Sequence, residues 1–183
     1  QAVAMDINAT GKVVGLSKDG SGHWHFVLWD GAQIKDLGSA DFASGQRTPR
    51  VFINDRGDIA GSVAGRGFFM NAGGATVPLP SSGGSLEVAE MNQQGDIAGT
   101  ILAGTEQHAF VWSQAQGMID LGTGGQGFSG AWVVDINSRG DVVGYTAACK
   151  LDFFSENICE NWYATEPSGL ASGDVRAILW RKN

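Results

Sequence analysis

Two cysteines, four prolines, three histidines and two tyrosines are all that this chain of 183 residues holds of those types. Each scarcity narrows what it can be. The Cys and His residues do not fall at paired ligand spacings, so no zinc-type motif is present and no metal is expected. The apolar runs are only a few residues long, far short of a membrane-spanning helix. Positive charge is thin and scattered: 12 Lys and Arg stand against 19 Asp and Glu, for a net charge of −7. Nucleic acid and anionic membrane surfaces are therefore poor partners. No stretch carries helical periodicity. No Gly-x-Ser-x-Gly occurs and no Ser or Cys stands in an activating context, so nucleophilic catalysis has no support. Gly124-Gly125-Gln126-Gly127 lacks the Lys-Ser/Thr and the helix that a phosphate loop needs. No cofactor is expected.

What the chain has in excess is glycine, 28 residues or about twice ordinary usage. Much of it falls in a recurring pattern. Val3–Leu16 (VAMDINATGKVVGL), Arg50–Ser62 (RVFINDRGDIAGS), Val88–Thr100 (VAEMNQQGDIAGT) and Ala131–Tyr145 (AWVVDINSRGDVVGY) each read as a short β-prone run, Asn-x-x-Gly, and a second short run that includes Gly. That is a tight hairpin. The Asn side chain can bond the backbone two residues on and start the turn, and the Gly can take the positive φ that closes it. Asn8/Gly11, Asn54/Gly57, Asn92/Gly95 and Asn137/Gly140 are thus four equivalent turns. The asparagines stand 46, 38 and 45 residues apart, a spacing that marks an array of supersecondary units.

Each unit continues beyond its hairpin (strands a and b) to a c strand and a d strand. In the first these are His23–Trp29 and Gln33–Leu37, in the second Gly67–Asn71 and Ala75–Pro80, in the third Gln107–Trp112 and Gly117–Gly122. The fourth has c at Val175–Trp180 and the chain stops before a d strand. One domain of four repeats follows, about 1–38, 48–80, 86–122 and 131–183, with a long insertion at 146–174. Such units cannot hide both faces alone, and radial stacking buries them. The expected fold is all-β and β-propeller-like, with fifteen strands and an incomplete last blade. Closure could come from VRAILW joining the sheet of the N-terminal hairpin; an open segment of a larger ring, or two chains completing one, are the other arrangements.

The combination of DIN-x-x-G-x-VVG, then His108-Ala109-Phe110-x-Trp112 (His25 to Trp29 in the first copy), then Leu-Gly and a Gly/Ser-rich link resembles the extracellular HAF-family repeat. The second copy departs from it, with Gly67-Phe68-Phe69 and Met70 in place of His-Ala-Phe and Trp. The resemblance implies a secreted or surface protein and a propeller-like fold. A chain that begins at Gln1 is read as processed or excised, any signal peptide being already removed.

Several recurrent residues have two readings. Trp29, Trp112 and Trp180 are inter-blade packing before they are a ligand platform. His25 and His108 are hydrogen-bonded to a neighbouring strand before they are metal ligands. Asp58, Asp96 and Asp141 follow the turn glycines, and Asp135-x-Asn137-x-x-Gly140-Asp141 has the oxygen density of a calcium loop, but it lacks the spacing and the terminal Glu of one. A carboxylate pair for glycoside hydrolysis could assemble from different blades.

The insertion is where the repeats end and individuality begins. It holds Cys149 and Cys159, ten positions apart, which in a secreted-type chain most simply form one disulfide. It also holds Phe153, Phe154, Trp162 and Tyr163 among four acidic residues. These aromatics either contact a sugar ring or a partner protein, or fold down as a private core. In the family topology the b–c loops share one face, which adds Trp24 and Leu102–Gln107 to that candidate surface. The function expected is a non-enzymatic extracellular module binding a glycan or a protein there. The alternatives are a structural subunit of a surface layer or filament, a homo-oligomer joined through unpaired terminal strands, and a polysaccharide-active enzyme with carboxylates at the propeller centre.

Overall fold

The computed structural model describes residues 1–43, 47–81, 84–125, 128–147 and 175–181. Regular structure among them is all strand, in fifteen segments. The first sheet holds β1 (Ala2–Ile7), β2 (Val13–Lys18), β3 (Trp24–Asp30) and β4 (Gln33–Ser39). The second holds β5 (Arg50–Ile53), β6 (Ile59–Val63), β7 (Arg66–Met70) and β8 (Thr76–Pro78). The third comprises β9 (Leu86–Met91), β10 (Ile97–Ala103), β11 (Glu106–Ser113) and β12 (Gly117–Gly122), and the fourth β13 (Gly130–Ile136), β14 (Val142–Ala147) and β15 (Val175–Trp180). Each sheet is an antiparallel meander in chain order, and a single parallel bridge, Gln107 with Gly130, ties the third to the fourth.

The hairpins form where the sequence places them. Gly11, Gly57, Gly95 and Gly140 have φ between 80° and 85°, and the amide of each donates to its turn Asn carbonyl at 3.0 Å. The glycine that follows two residues into each b strand has a different task. A Cβ on Gly99 would run into the Glu87 carbonyl and stand 2.7 Å from the Phe110 ring; one on Gly61 would meet the Arg50 carbonyl at 2.7 Å and Phe68 at 2.8 Å. An aromatic from the c strand lies across these positions, so only a hydrogen fits.

The first strands of successive sheets pack on one another, β1 on β5, β5 on β9 and β9 on β13, and each b strand packs on the next a strand. The d strands β4 and β8 lie outermost and are largely exposed. Sheets that meet at their first strands and expose their last radiate from a common centre, and the chain is an all-β, β-propeller-like array. Three apolar cores fill the spaces between consecutive sheets. The first includes Val14, Leu16 and Phe26 against Val51, Ile53 and Ile59. The second sets Ala60, Phe69 and Leu79 against Leu86, Val88, Ile97, Phe110 and Trp112. The third sets Ala98 and Ala109 against Ala131, Val133, Ile136 and Val142. Trp112 packs on Phe69 of the preceding sheet, centroids 5.2 Å apart, and Trp180 Nε1 donates to the Leu121 carbonyl of the preceding sheet at 3.2 Å. The recurring Trp is inter-sheet packing at both positions.

One of the three arrangements left open for closure is excluded, and one boundary moves. The terminal strand VRAILW does not join the sheet of the N-terminal hairpin: β15 pairs with β14 along its length, Val142 with Trp180 through Ala147 with Val175. The insertion also starts later than Thr146, because Thr146 and Ala147 continue β14 and pair with both β13 and β15.

Candidate functional site

The sheets end in two rims of opposite character. One is made of the a–b turns, and these are hydrogen-bonded to one another from sheet to sheet. Asn8 Nδ2 donates to the Asn54 carbonyl at 3.1 Å, and Ala9 N–H to Asp55 at 2.7 Å. Asp55 N–H donates to Gln93 Oε1, and Arg56 to the Gln94 carbonyl at 2.6 Å. Asn92 Nδ2 donates to the Asn137 carbonyl at 3.0 Å. The asparagine bond to the backbone two residues on is present in the first, third and fourth turns. Asp58 is held inside this lattice. Burial pushes its carboxyl up, but donors from Asn54, Arg56 and the Ala72 amide outweigh that and hold it below the usual range. Asp141 takes the same bonds from Asn137 and Arg139. The turn carboxylates are thus occupied by side-chain donors. An open cleft of about 390 Å³ lies on this rim, lined by Gln94, Asp96 and Ser113 through Gln116.

The opposite rim carries the b–c loops and the d–a links. Trp24, at the start of β3, is half-buried against the first core, with Lys18 Nζ 5.1 Å over its ring. Its amide donates to Asp41 Oδ1 at 2.7 Å and His23 bonds Asp41 Oδ2 at 2.8 Å. Leu102 is exposed on the third sheet. Phe153, Phe154, Trp162 and Tyr163, with Cys149 and Cys159, lie outside the described residues, so Trp24 and Leu102–Gln107 are the parts of the predicted contact surface that the structure places.

Three buried side-chain atoms have no hydrogen-bond partner among the described residues: Gln107 Oε1, Trp132 Nε1 and Thr146 Oγ1. All three belong to this rim. Gln107 opens β11 and bridges Gly130, Trp132 is two residues further along β13, and Thr146 pairs with Ala131 near the end of β14. The sequence places Gln107 on this face within Leu102–Gln107; it shows Trp132 only as an extra Trp outside the repeat position, and nothing in it marks Thr146.

The histidines settle into the outer strands. His108 Nδ1 bonds Asp120 at 2.8 Å and Nε2 reaches Glu106 at 3.4 Å, while His25 bonds Asp36 in the first sheet at 3.0 Å. Burial pulls His108 down, but Asp120 and Glu106 raise it further, and it sits above its ordinary value of 6.5. Asp120 also accepts the Gly122 amide, and Asp36 the Gly38 amide. The His and the Asp-Leu-Gly of the repeat are one device, which holds the bulged d strand against c.

Carboxylates recur on the inner strands, two residues before the turn Asn: Asp6, Glu90 and Asp135, with Phe52 in the second sheet. The first three follow a β-bulge, and each bonds the next amide of its own strand. Asp6 also accepts Ile53 N–H of the second sheet at 2.8 Å. Burial pushes the Glu90 carboxyl up, and Asp6 and Asp135 add to it. Sequence left the central carboxylates unassigned; aligned on the turn Asn, the copies single out this position. Among the described residues no three His, Cys, Asp or Glu are grouped to hold a metal ion.

No family model matches the chain, and no curated protein does. Among solved structures, one of streptogramin B lyase is similar at a TM-score of 0.48 and 15% identity, over 78% of this chain and 47% of that one. The chain thus spans about half the length of that protein.

Proposed function

We propose that the protein is an extracellular, non-enzymatic binding module of the HAF-repeat kind, which recognises a glycan or a protein through the rim that carries its b–c loops. The observation that carries this reading is the placement of the unsatisfied polar atoms. A buried polar group without a partner costs on the order of 1–3 kcal/mol, and each one in a folded protein asks for a reason. Gln107, Trp132 and Thr146 all lie at the loop-bearing rim. On the opposite rim the turns are bonded to one another from sheet to sheet. The three atoms are buried, so they mark where the loop-bearing rim is left incompletely paired and are not themselves its outer contact surface. Trp24, with its ring partly exposed on the same rim, offers apolar contact.

The test is capture on a glycan array and from extracellular protein extract by the full chain and by two variants. In one, residues 148–174 are replaced by Ala-Gly, the b–c turn of the second sheet; in the other, Trp24→Ala. The shortened variant is expected to melt close to the parent and to lose capture, and Trp24→Ala to weaken it. Undiminished capture by the shortened variant would overturn the proposal.

A further inference from the structure

The three junctions between the described sheets are made from the same two half-surfaces, and one copy of each is left open, on the first sheet and on the fourth. The half that faces the preceding sheet has an apolar residue just before the turn Asn and another two after the turn Gly: Ile53 and Ile59, Met91 and Ile97, Ile136 and Val142. The half that faces the following sheet uses the next b-strand position and the outer c strand: Val14 with Phe26 and Leu28, Ala60 with Phe69, Ala98 with Ala109 and Val111. In the first sheet the preceding-side half is Ile7, Val13, Trp29 and Ile34. In the fourth the following-side half is Val134, Val143 and Leu179.

Burial at equivalent positions separates filled halves from open ones. Ile53, Met91 and Ile136 are 5%, 7% and 5% exposed, whereas Ile7 is 63% exposed. Val14, Ala60 and Ala98 are all 0% exposed, whereas Val143 is 42% exposed. Ile34, Val134 and Leu179 are exposed large apolar residues of the same two faces. Apolar faces of this extent on a folded chain mark contact surfaces.

A polar feature repeats the pattern. Arg56, two residues after its turn Asn, pairs with Asp58 and also donates to the carbonyl of Gln94, the matching residue of the next sheet. Arg139 stands at the same place in the fourth turn and makes the same pair with Asp141 at 2.8 Å, but its side chain is 80% exposed against 55% for Arg56. The residue that matches Gln94 in the first sheet is Thr10.

We infer that the two end faces are the two halves of one junction, and that the fourth sheet of one chain docks on the first sheet of a second copy, head to tail. A second copy of this chain fits as the occupant, since the open halves match each other and not themselves. Val143 and Leu179 lie against Ile7, Trp29 and Ile34, and Arg139 reaches the partner's backbone at Thr10. Such a heterologous contact closes into a ring or runs on as a filament, according to the rotation between copies. This goes beyond the rim reading and does not depend on it.

The test is native mass spectrometry and sedimentation of the full chain over a range of concentrations, with Ile7→Glu, Val143→Glu and Arg139→Ala. All three positions are exposed, so the variants are expected to fold, which circular dichroism checks. The parent should form rings or ladders. Each Glu variant alone should be monomeric, and a mixture of the two should give a one-to-one dimer, because one retains an intact following face and the other an intact preceding face. Arg139→Ala, which leaves the sheets untouched, should weaken association by about tenfold, as loss of one charge-assisted hydrogen bond does. A parent that stays monomeric at every concentration would overturn the inference. So would a Glu variant that still dimerises with itself, since that result belongs to a face-to-face contact.

Discussion

The second and third sheets occupy equivalent places, each with a neighbour on both sides, and they agree in their inner half while differing in their outer half. Their turns are alike: Gly57 and Gly95 have φ of 85° and 80°, and an Asn–Asp pair closes each. In both, a phenylalanine lies over the b-strand glycine, Phe68 over Gly61 and Phe110 over Gly99. Outside that, the third sheet has the His108–Asp120 device and a six-residue β12 with a bulge. The second has Arg66 and Gly67 where the third has its His-Ala, and a three-residue β8 in unbroken register. The inner half is what every sheet needs in order to be a sheet of this array. The outer lock is an addition that the second sheet does without.

That comparison is broken most severely at the inner half. Phe110 is fully buried in the second core and covers Gly99, so Phe110→Ala should cost about 3–5 kcal/mol in urea unfolding. Phe68 is only partly buried, and Phe68→Ala should cost less. Equal losses would mean that the two glycine-covering rings are not graded by burial and that the cores act as one.

Much of this was legible in the sequence, because a tight turn needs particular residues at fixed offsets. Asn-x-x-Gly located all four hairpins, and the c-strand Trp was correctly taken for packing in Trp112 and Trp180. The bulges were not legible, since Ala4-Met5-Asp6 and Val133-Val134-Asp135 look like ordinary strand; only the register reveals the extra residue. The sequence did assign VRAILW to the fourth unit as its c strand, and β15 pairs with β14 accordingly; what it left open was how the array closes, because the c strands of all four units share one pattern. Of the rim proposed for binding it marked Trp24, Leu102–Gln107 and the aromatic loop. It could not mark Trp132 and Thr146, whose distinction is the lack of a partner, a property of packing and not of residue type.

A smaller effect sharpens the contrast at the outer half. The pKa of His108 is raised in the folded chain, so protonated His108 stabilises the fold fully below the unfolded value near 6.5, and that contribution is lost as pH rises through the folded value. Asp120 is largely exposed, which keeps the pair under about 1 kcal/mol. His108→Gln should therefore flatten the stability profile just above 6.5. A variant whose stability still declines there as steeply as the parent's would assign the slope to another group.

The smallest change expected lies where the second sheet has Phe52 and the third Glu90. Burial, with Asp6 and Asp135 nearby, raises the Glu90 pKa above 4.5 in the folded chain. Between the unfolded and the folded value the native state holds the extra proton, so stability falls as pH rises through that interval and stays lower above it. Glu90→Gln keeps an oxygen that can accept the Met91 amide and removes the charge. It should therefore be slightly more stable than the parent at neutral pH, and the gain should vanish as pH drops below 4.5. If Glu90→Gln is instead the less stable at neutral pH, the ionised carboxylate is a favourable part of the inner strand, as through Arg50, and the phenylalanine of the second sheet is the exception that the fold tolerates rather than the arrangement it prefers.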